Sequence, residues 1–131
     1  MRLAPVFRPL VAGLALLLGL GAALSPAVAA DRLSEIKQRG TLRVGLEGTY
    51  PPFNYQDEKG NLVGFEVDVA TALAAKLGLK AEFQPTKWDG ILAALEVGRF
   101  DLIANQVTVT EERKAKFDFT QPYTVSGIQI I

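Results

Sequence analysis

Arg113 is the residue whose setting first asks for a chemical explanation. It lies in the stretch "NQVTVTEERK", Asn105 to Lys114, where Thr110 has the character of a helix N-cap and Glu111 and Glu112 fill the first turn. Carboxylates suit the positive end of a helix, and a cation there does not. One reading makes Arg113 a receptor for a carboxylate, its planar fork gripping two oxygens beside the free amides of the helix start. The other makes it a surface ion pair with Glu111, Glu112 or Asp118, which contributes little. Thr108 and Thr110 would add hydroxyl or amide donors to the same anion, or serve only β-propensity and capping, and for Thr110 capping is the stronger reading. Asn105 and Gln106, at a strand end, either exchange hydrogen bonds with a polar ligand or form a turn.

Three aromatic residues and one acid stand in comparable places. Tyr50 lies in the Pro-stiffened loop "EGTYPPF", and Trp88 opens a helix after "PTK". Both suit contact with the apolar part of a ligand, whereas Phe53 reads as a plug at the rim of the core. Glu47, closing a strand, would neutralise a ligand ammonium; one carboxylate at a strand end is a weak signal. Glu66 and Asp68 read as helix-start charges and nothing more.

The chemistry the chain lacks is as informative. Its 131 residues contain no His and no Cys, which removes the commonest general base, the commonest metal ligand and any disulfide or thiolate. No Ser nucleophile with a base, metal cluster or phosphate-binding glycine loop is present, so no cofactor, no metal and no catalysis are expected. Residues 1–30 run from basic (Arg2, Arg8) through the uncharged Leu10–Leu24 to the small residues of "SPAVAA", the order of a cleaved secretory signal peptide. The apolar run falls short of the ~20 residues that span a bilayer. Without Arg2 and Arg8, twelve basic residues face 14 acidic ones, with no basic run, so nucleic acid is excluded as a partner. A soluble periplasmic product, monomeric, is the expectation.

The elements that must position these residues follow from period and punctuation. Residues 31–40 read as a short amphipathic helix stopped by Gly40, and 41–47 as a strand. Phe53–Gln56 and Leu62–Phe65 flank the turn cluster "DEKGN" as a hairpin. Val67, Ala70, Leu73, Ala74 and Leu77 share one face of a helix that Gly78 ends. A strand over 80–86 leads to a helix over 88–97, begun by a capping-box-like Thr86 and Asp89 and ended by Gly98. A strand over 100–105, a short helix after Thr110 and a strand over 124–131 complete the series. Strands alternating with helices imply a mostly parallel sheet with crossover helices, an α/β fold in which ligands sit beyond the carboxyl ends of the strands. The loops "EGTYPPF", "PTKWDG" and "NQVTVTEER" meet there, and they hold nearly all the candidate residues.

The stretches "LRVGLEGTYPPFNYQDEKGNLVGFEVDVATALAAKLG" and "PTKWDGILAALEVGRFDLIANQVTVTEERKAKFDFTQPYTVSG" resemble the periplasmic amino-acid-binding proteins of ABC importers, the family 3 solute-binding proteins. "NQVTVTEERK" and "PTKWDG" lean towards cystine-binding members. The resemblance implies a type II periplasmic-binding-protein fold, a two-lobed clamshell of which residues 31–131 form the first lobe, with the second lobe missing. It implies that Arg113 grips the α-carboxylate of an amino acid with help from Thr108. Tyr50 and Trp88 would line the ligand, Asn105 and Gln106 would contact its ammonium and side chain, and Glu47 would tune side-chain choice. An ABC permease in the inner membrane is the implied partner, and weak or absent binding by this segment alone the implied consequence. Two alternatives stay open: an enzyme on the same fold, such as a periplasmic cyclohexadienyl-type dehydratase, and the input domain of a sensory or wall-lytic protein.

Overall fold

Alternating apolar residues make the strand at the centre of the molecule. In β1 (Thr41–Leu46), Leu42, Val44 and Leu46 point to one buried side, and Gly45 between them leaves the other side open to an aromatic ring. The structure is a computed structural model that describes residues 31–125 and 127. The signal segment 1–30 lies outside the described residues. So does most of the strand expected over 124–131, of which Thr124 and Val125 are described and neither is in a strand.

Helix α1 (Arg32–Arg39) is capped by the Asp31 carboxylate and closed by Gly40 in the left-handed conformation. After β1, β2 (Thr49–Tyr50), β3 (Asn54–Gln56) and β4 (Leu62–Val63) form a small antiparallel sheet. The hairpin turn between β3 and β4 is held by Asp57, whose carboxylate accepts from the Lys59 and Asn61 amides. Helix α2 (Phe65–Lys76) crosses to β5 (Lys80–Pro85), and α3 (Trp88–Glu96) crosses to β6 (Leu102–Ile103). Both β5 and β6 pair in parallel with β1, in the order β5-β1-β6. The parallel sheet with crossover helices read from the sequence is therefore present. One core joins α1 and α2 to the sheet through Ile36, Leu42, Val44, Ala70 and Ala74; the other packs Ile91 and Ala94 of α3 against Phe100.

Three details depart from the reading above. The buried stripe of α2 is Glu66, Val67, Ala70 and Ala74, while Leu73 is exposed, so the helix is rotated towards its acidic first turn. The N-cap of α3 is Lys87 with no side-chain cap bond; Thr86 instead donates its hydroxyl to the Gln84 carbonyl. Strand β6 is two residues long, although amide bonds from Asp101 to the Arg43 carbonyl and from Ala104 to the Gly45 carbonyl extend its contact with β1.

Candidate ligand-binding site

The carboxyl ends of the three parallel strands do bring the candidate loops together. Thr86, after β5, donates its amide to the Leu46 carbonyl at the end of β1. Asn105, after β6, and Glu47, after β1, exchange two bonds: the Glu47 amide to Asn105 Oδ1 at 2.9 Å and Asn105 Nδ2 to Glu47 Oε2 at 3.0 Å. Asn105 is buried, and Glu47 is half-buried beside it.

Arg113 stands on the rim of this region, in α4 (Glu111–Lys114). Thr110 caps that turn, accepting the Arg113 amide at 3.2 Å. The turn has only four residues, and that cap already uses one of its free amides. The guanidinium rather than the helix dipole is therefore the principal charge here. Arg113 Nη1 donates to the Thr108 carbonyl at 2.8 Å, and the guanidinium carbon lies 5.4 Å from the centre of the Trp88 ring. Thr108 thus contributes its carbonyl, which orients the cation, while its side chain is exposed. Glu111 pairs with Lys114 at 2.9 Å; no ion pair among the described residues involves Arg113. A cation pinned at one corner, laid on an indole face and lacking a carboxylate partner has the donors to take an anion in bidentate fashion.

Trp88 and Tyr50 are 38% and 44% exposed, large aromatic surfaces available to a ligand's apolar portion. Tyr50 leans on the half-buried Phe53, ring centres 5.2 Å apart. Gln106 is turned inward: its amide and its Nε2 donate to Glu66 Oε1 at 2.6 and 3.1 Å, and its Oε1 accepts from the Thr124 hydroxyl.

The residue sequence reasoning missed is Glu66. Far from a solvated helix-start charge, it is 0% exposed and collects donors from Asn54, Gln106 and Tyr123. A signal was present: Glu66 lies four and eight residues before Ala70 and Ala74, on their face of the helix. Asp101 is a second such case at the opposite end of the sheet. Its side chain is 1% exposed and meets Arg32, Arg39 and Arg43. Burial pushes its carboxyl up, but the hydrogen bonds of Arg43 and the charges of Arg43 and Arg39 outweigh that and hold it below the usual value.

A parallel sheet with flanking helices and an anion-ready rim at its carboxyl end is the architecture of a type II periplasmic-binding-protein lobe. Comparison with known families narrows this further. Residues 42–131 match the model of the bacterial extracellular solute-binding proteins, family 3, and the chain belongs to that family. It is 58% identical over 99 residues to the L-cystine-binding protein TcyJ of Escherichia coli (strain K12), covering 76% of this chain and 37% of that one. It is 38% identical over 121 residues to the cyclohexadienyl dehydratase of Pseudomonas aeruginosa PAO1, covering 92% and 45%. Among solved structures, the arginine-bound form of domain 1 from TmArgBP (T. maritima) superposes with a TM-score of 0.70 at 43% identity, over 72% of this chain and 74% of that one. The chain thus spans less than half the length of the two full-length relatives.

Proposed function

We propose that this chain is the first lobe of the extracytoplasmic receptor of an ABC importer, and that it captures a free amino acid, with cystine the leading candidate. The observation that carries this reading is Arg113: oriented by the Thr108 carbonyl, seated on Trp88 and paired with no carboxylate among the described residues. In this reading the ligand's α-carboxylate takes the open edge of the guanidinium, Trp88 and Tyr50 flank its body, and Glu47, held by Asn105, faces its ammonium or side chain. Residues 1–30 serve as the cleaved signal that delivers the protein to the periplasm, residues 31–131 form the lobe, and an inner-membrane permease receives the cargo. The cystine assignment draws on the 58% identity to the E. coli relative. The arginine-bound domain 1 bears on the expectation of weak binding by an isolated lobe, since a similar lobe carries a ligand.

The test is calorimetry on the full-length gene product with L-cystine, L-arginine and the carboxyl-amidated form of whichever binds. Binding of a free amino acid that amidation abolishes is expected. Equal affinity for the amidated ligand would remove the carboxylate site. The dehydratase relative supports a second reading, turnover of a cyclic carboxylate precursor of an aromatic amino acid. Appearance of aromatic absorbance on incubation with such a cyclohexadienyl acid would favour it.

A further inference from the structure

Glu66 sits where four donors from three separate segments converge. Its Oε2 accepts from Asn54 Nδ2 at 2.5 Å; its Oε1 accepts the Gln106 amide at 2.6 Å, Gln106 Nε2 at 3.1 Å and the Tyr123 hydroxyl at 2.7 Å. Asn54 cannot turn its amide round, because its Oδ1 already takes the Gly48 amide at 2.8 Å. The pattern is all donors towards one fully buried group, which a carboxylate satisfies and a helix-start charge in solvent has no need of.

Gln106 is the one non-glycine residue with positive φ among those described, at 49°. That conformation is unfavourable for an L-residue and persists only where its surroundings impose it. Both bonds that impose it from α2 end on one oxygen of Glu66. From Gln106 the chain runs without regular structure through Thr108 to the cap at Thr110 and on to Arg113. The direction in which it leaves Gln106 therefore decides where Thr108 presents its carbonyl and where Arg113 comes to rest.

We propose that Glu66 is the positioning residue of the anion site. Its carboxylate sets the left-handed turn at Gln106 from which the Arg113-bearing loop departs, and ties that turn to the segment containing Tyr123 and Thr124. The inference rests on the reading of Arg113 as the ligand's receptor. Tyr123 joins the same anchor from its inner end, although much of its ring is exposed. Burial, then the hydrogen bond and charge of Glu66, raise its phenol above the ordinary range, so it stays a donor. Thr124 seals the arrangement by donating to Gln106 Oε1 at 2.8 Å.

Trp88 supplies a readout that needs no ligand. It is the one tryptophan of the 131 residues, and Arg113 lies on its ring. In the full chain, Glu66→Asp keeps the negative charge at the start of α2 but withdraws the carboxylate by one methylene. Its Trp88 emission and acrylamide quenching are expected to move to the values shown by Arg113→Ala, with helix content unchanged and amino-acid affinity down ~10-fold, the worth of one misplaced charge-assisted bond. Wild-type emission, quenching and affinity in a folded Glu66→Asp protein would reduce Glu66 to an ordinary helix-start charge. Should Glu66→Asp fail to fold, Tyr123→Phe decides: loss of one hydroxyl should shift Trp88 in the same direction by less, and no shift overturns the proposal. The outcomes separate from those for the site itself. If Arg113→Ala leaves amino-acid affinity unchanged, the receptor reading fails while the Trp88 signal still reports on Glu66.

Discussion

Arg113→Lys keeps the positive charge and removes the fork, so it separates electrostatic attraction from bidentate recognition. In the structure Arg113 spends one N–H on the Thr108 carbonyl at 2.8 Å and lays its guanidinium 5.4 Å from the Trp88 ring centre. The remaining edge has the geometry for two charge-assisted hydrogen bonds to a carboxylate, each worth about 1.5–3 kcal/mol. A lysine ammonium delivers one of them, which predicts a loss of about 1.5–3 kcal/mol, or ~10- to 150-fold in Kd. Arg113→Ala loses both and should weaken binding by ~10²- to 10⁴-fold. The cost to the fold is smaller: about 1 kcal/mol for the Thr108 bond and about 0.5–1 for the cation–π contact, too little to unfold a domain. Calorimetry with the free amino acid, paired with thermal melting, distinguishes the two effects. A decarboxylated ligand closes the cycle, since it should bind wild type and Arg113→Ala alike. Affinity of Arg113→Ala within about threefold of wild type would refute the carboxylate grip, because no bidentate bond is worth so little.

Further perturbations test the frame around the site. A Cβ at Gly45 would stand 2.5 Å from the Phe100 ring, which is 1% exposed and has no room to withdraw, so Gly45→Ala should lower stability by about 1–3 kcal/mol in urea melts. Gly64 has φ 125° with the Phe53 carbonyl against it, and Gly64→Ala should likewise cost about 1–3 kcal/mol and loosen the start of α2. The Asp101 carboxyl is held below its ordinary 3.8, so protons bind the unfolded chain more readily than the folded one. Its contribution is present above that ordinary value and is lost as pH falls through the depressed folded one. Asp101→Asn should therefore flatten the acid limb of a stability–pH curve below about pH 4 and, by leaving Arg39 and Arg43 without an anion, cost about 2–4 kcal/mol near neutrality.

What the sequence made legible is what short-range pattern encodes. Alternation in "TLRVGLE" marked the central strand, the 3.6 period marked α2 and α3, and Gly40, Gly78 and Gly98 marked the ends of α1, α2 and α3. The residues that form the rim were also legible, because polar and aromatic side chains crowd three loops that a parallel sheet must bring together. Illegible were the charges that turn inward. Glu66 read as a helix-start charge and Asp101 drew no notice, since their partners Gln106 and Arg43 lie 40 and 58 residues away. Local propensity carries nothing about such distances. The capping box at Thr86 failed for a local reason instead: Lys87 occupies the N-cap, and the Thr86 hydroxyl is turned back to Gln84.

A two-residue strand is a poor foundation for a loop, yet β6 carries the one that leads to Arg113. Its register with β1 shows how it is secured. Leu102 pairs with Val44 and Ile103 with Gly45, a constant offset that side chains continue at both ends: Asp101 with Arg43 below, Asn105 with Glu47 above. In between, the Phe100 ring lies against Gly45. Charge at the foot, an aromatic ring over a glycine, and an amide–carboxylate exchange at the head thus supply what the short ladder lacks. The segment is fixed as far as Asn105, and Glu66 takes over at Gln106. If Arg113 receives a ligand as proposed, only the few residues between Gln106 and the cap at Thr110 would have to adjust, so little entropy would be lost on binding.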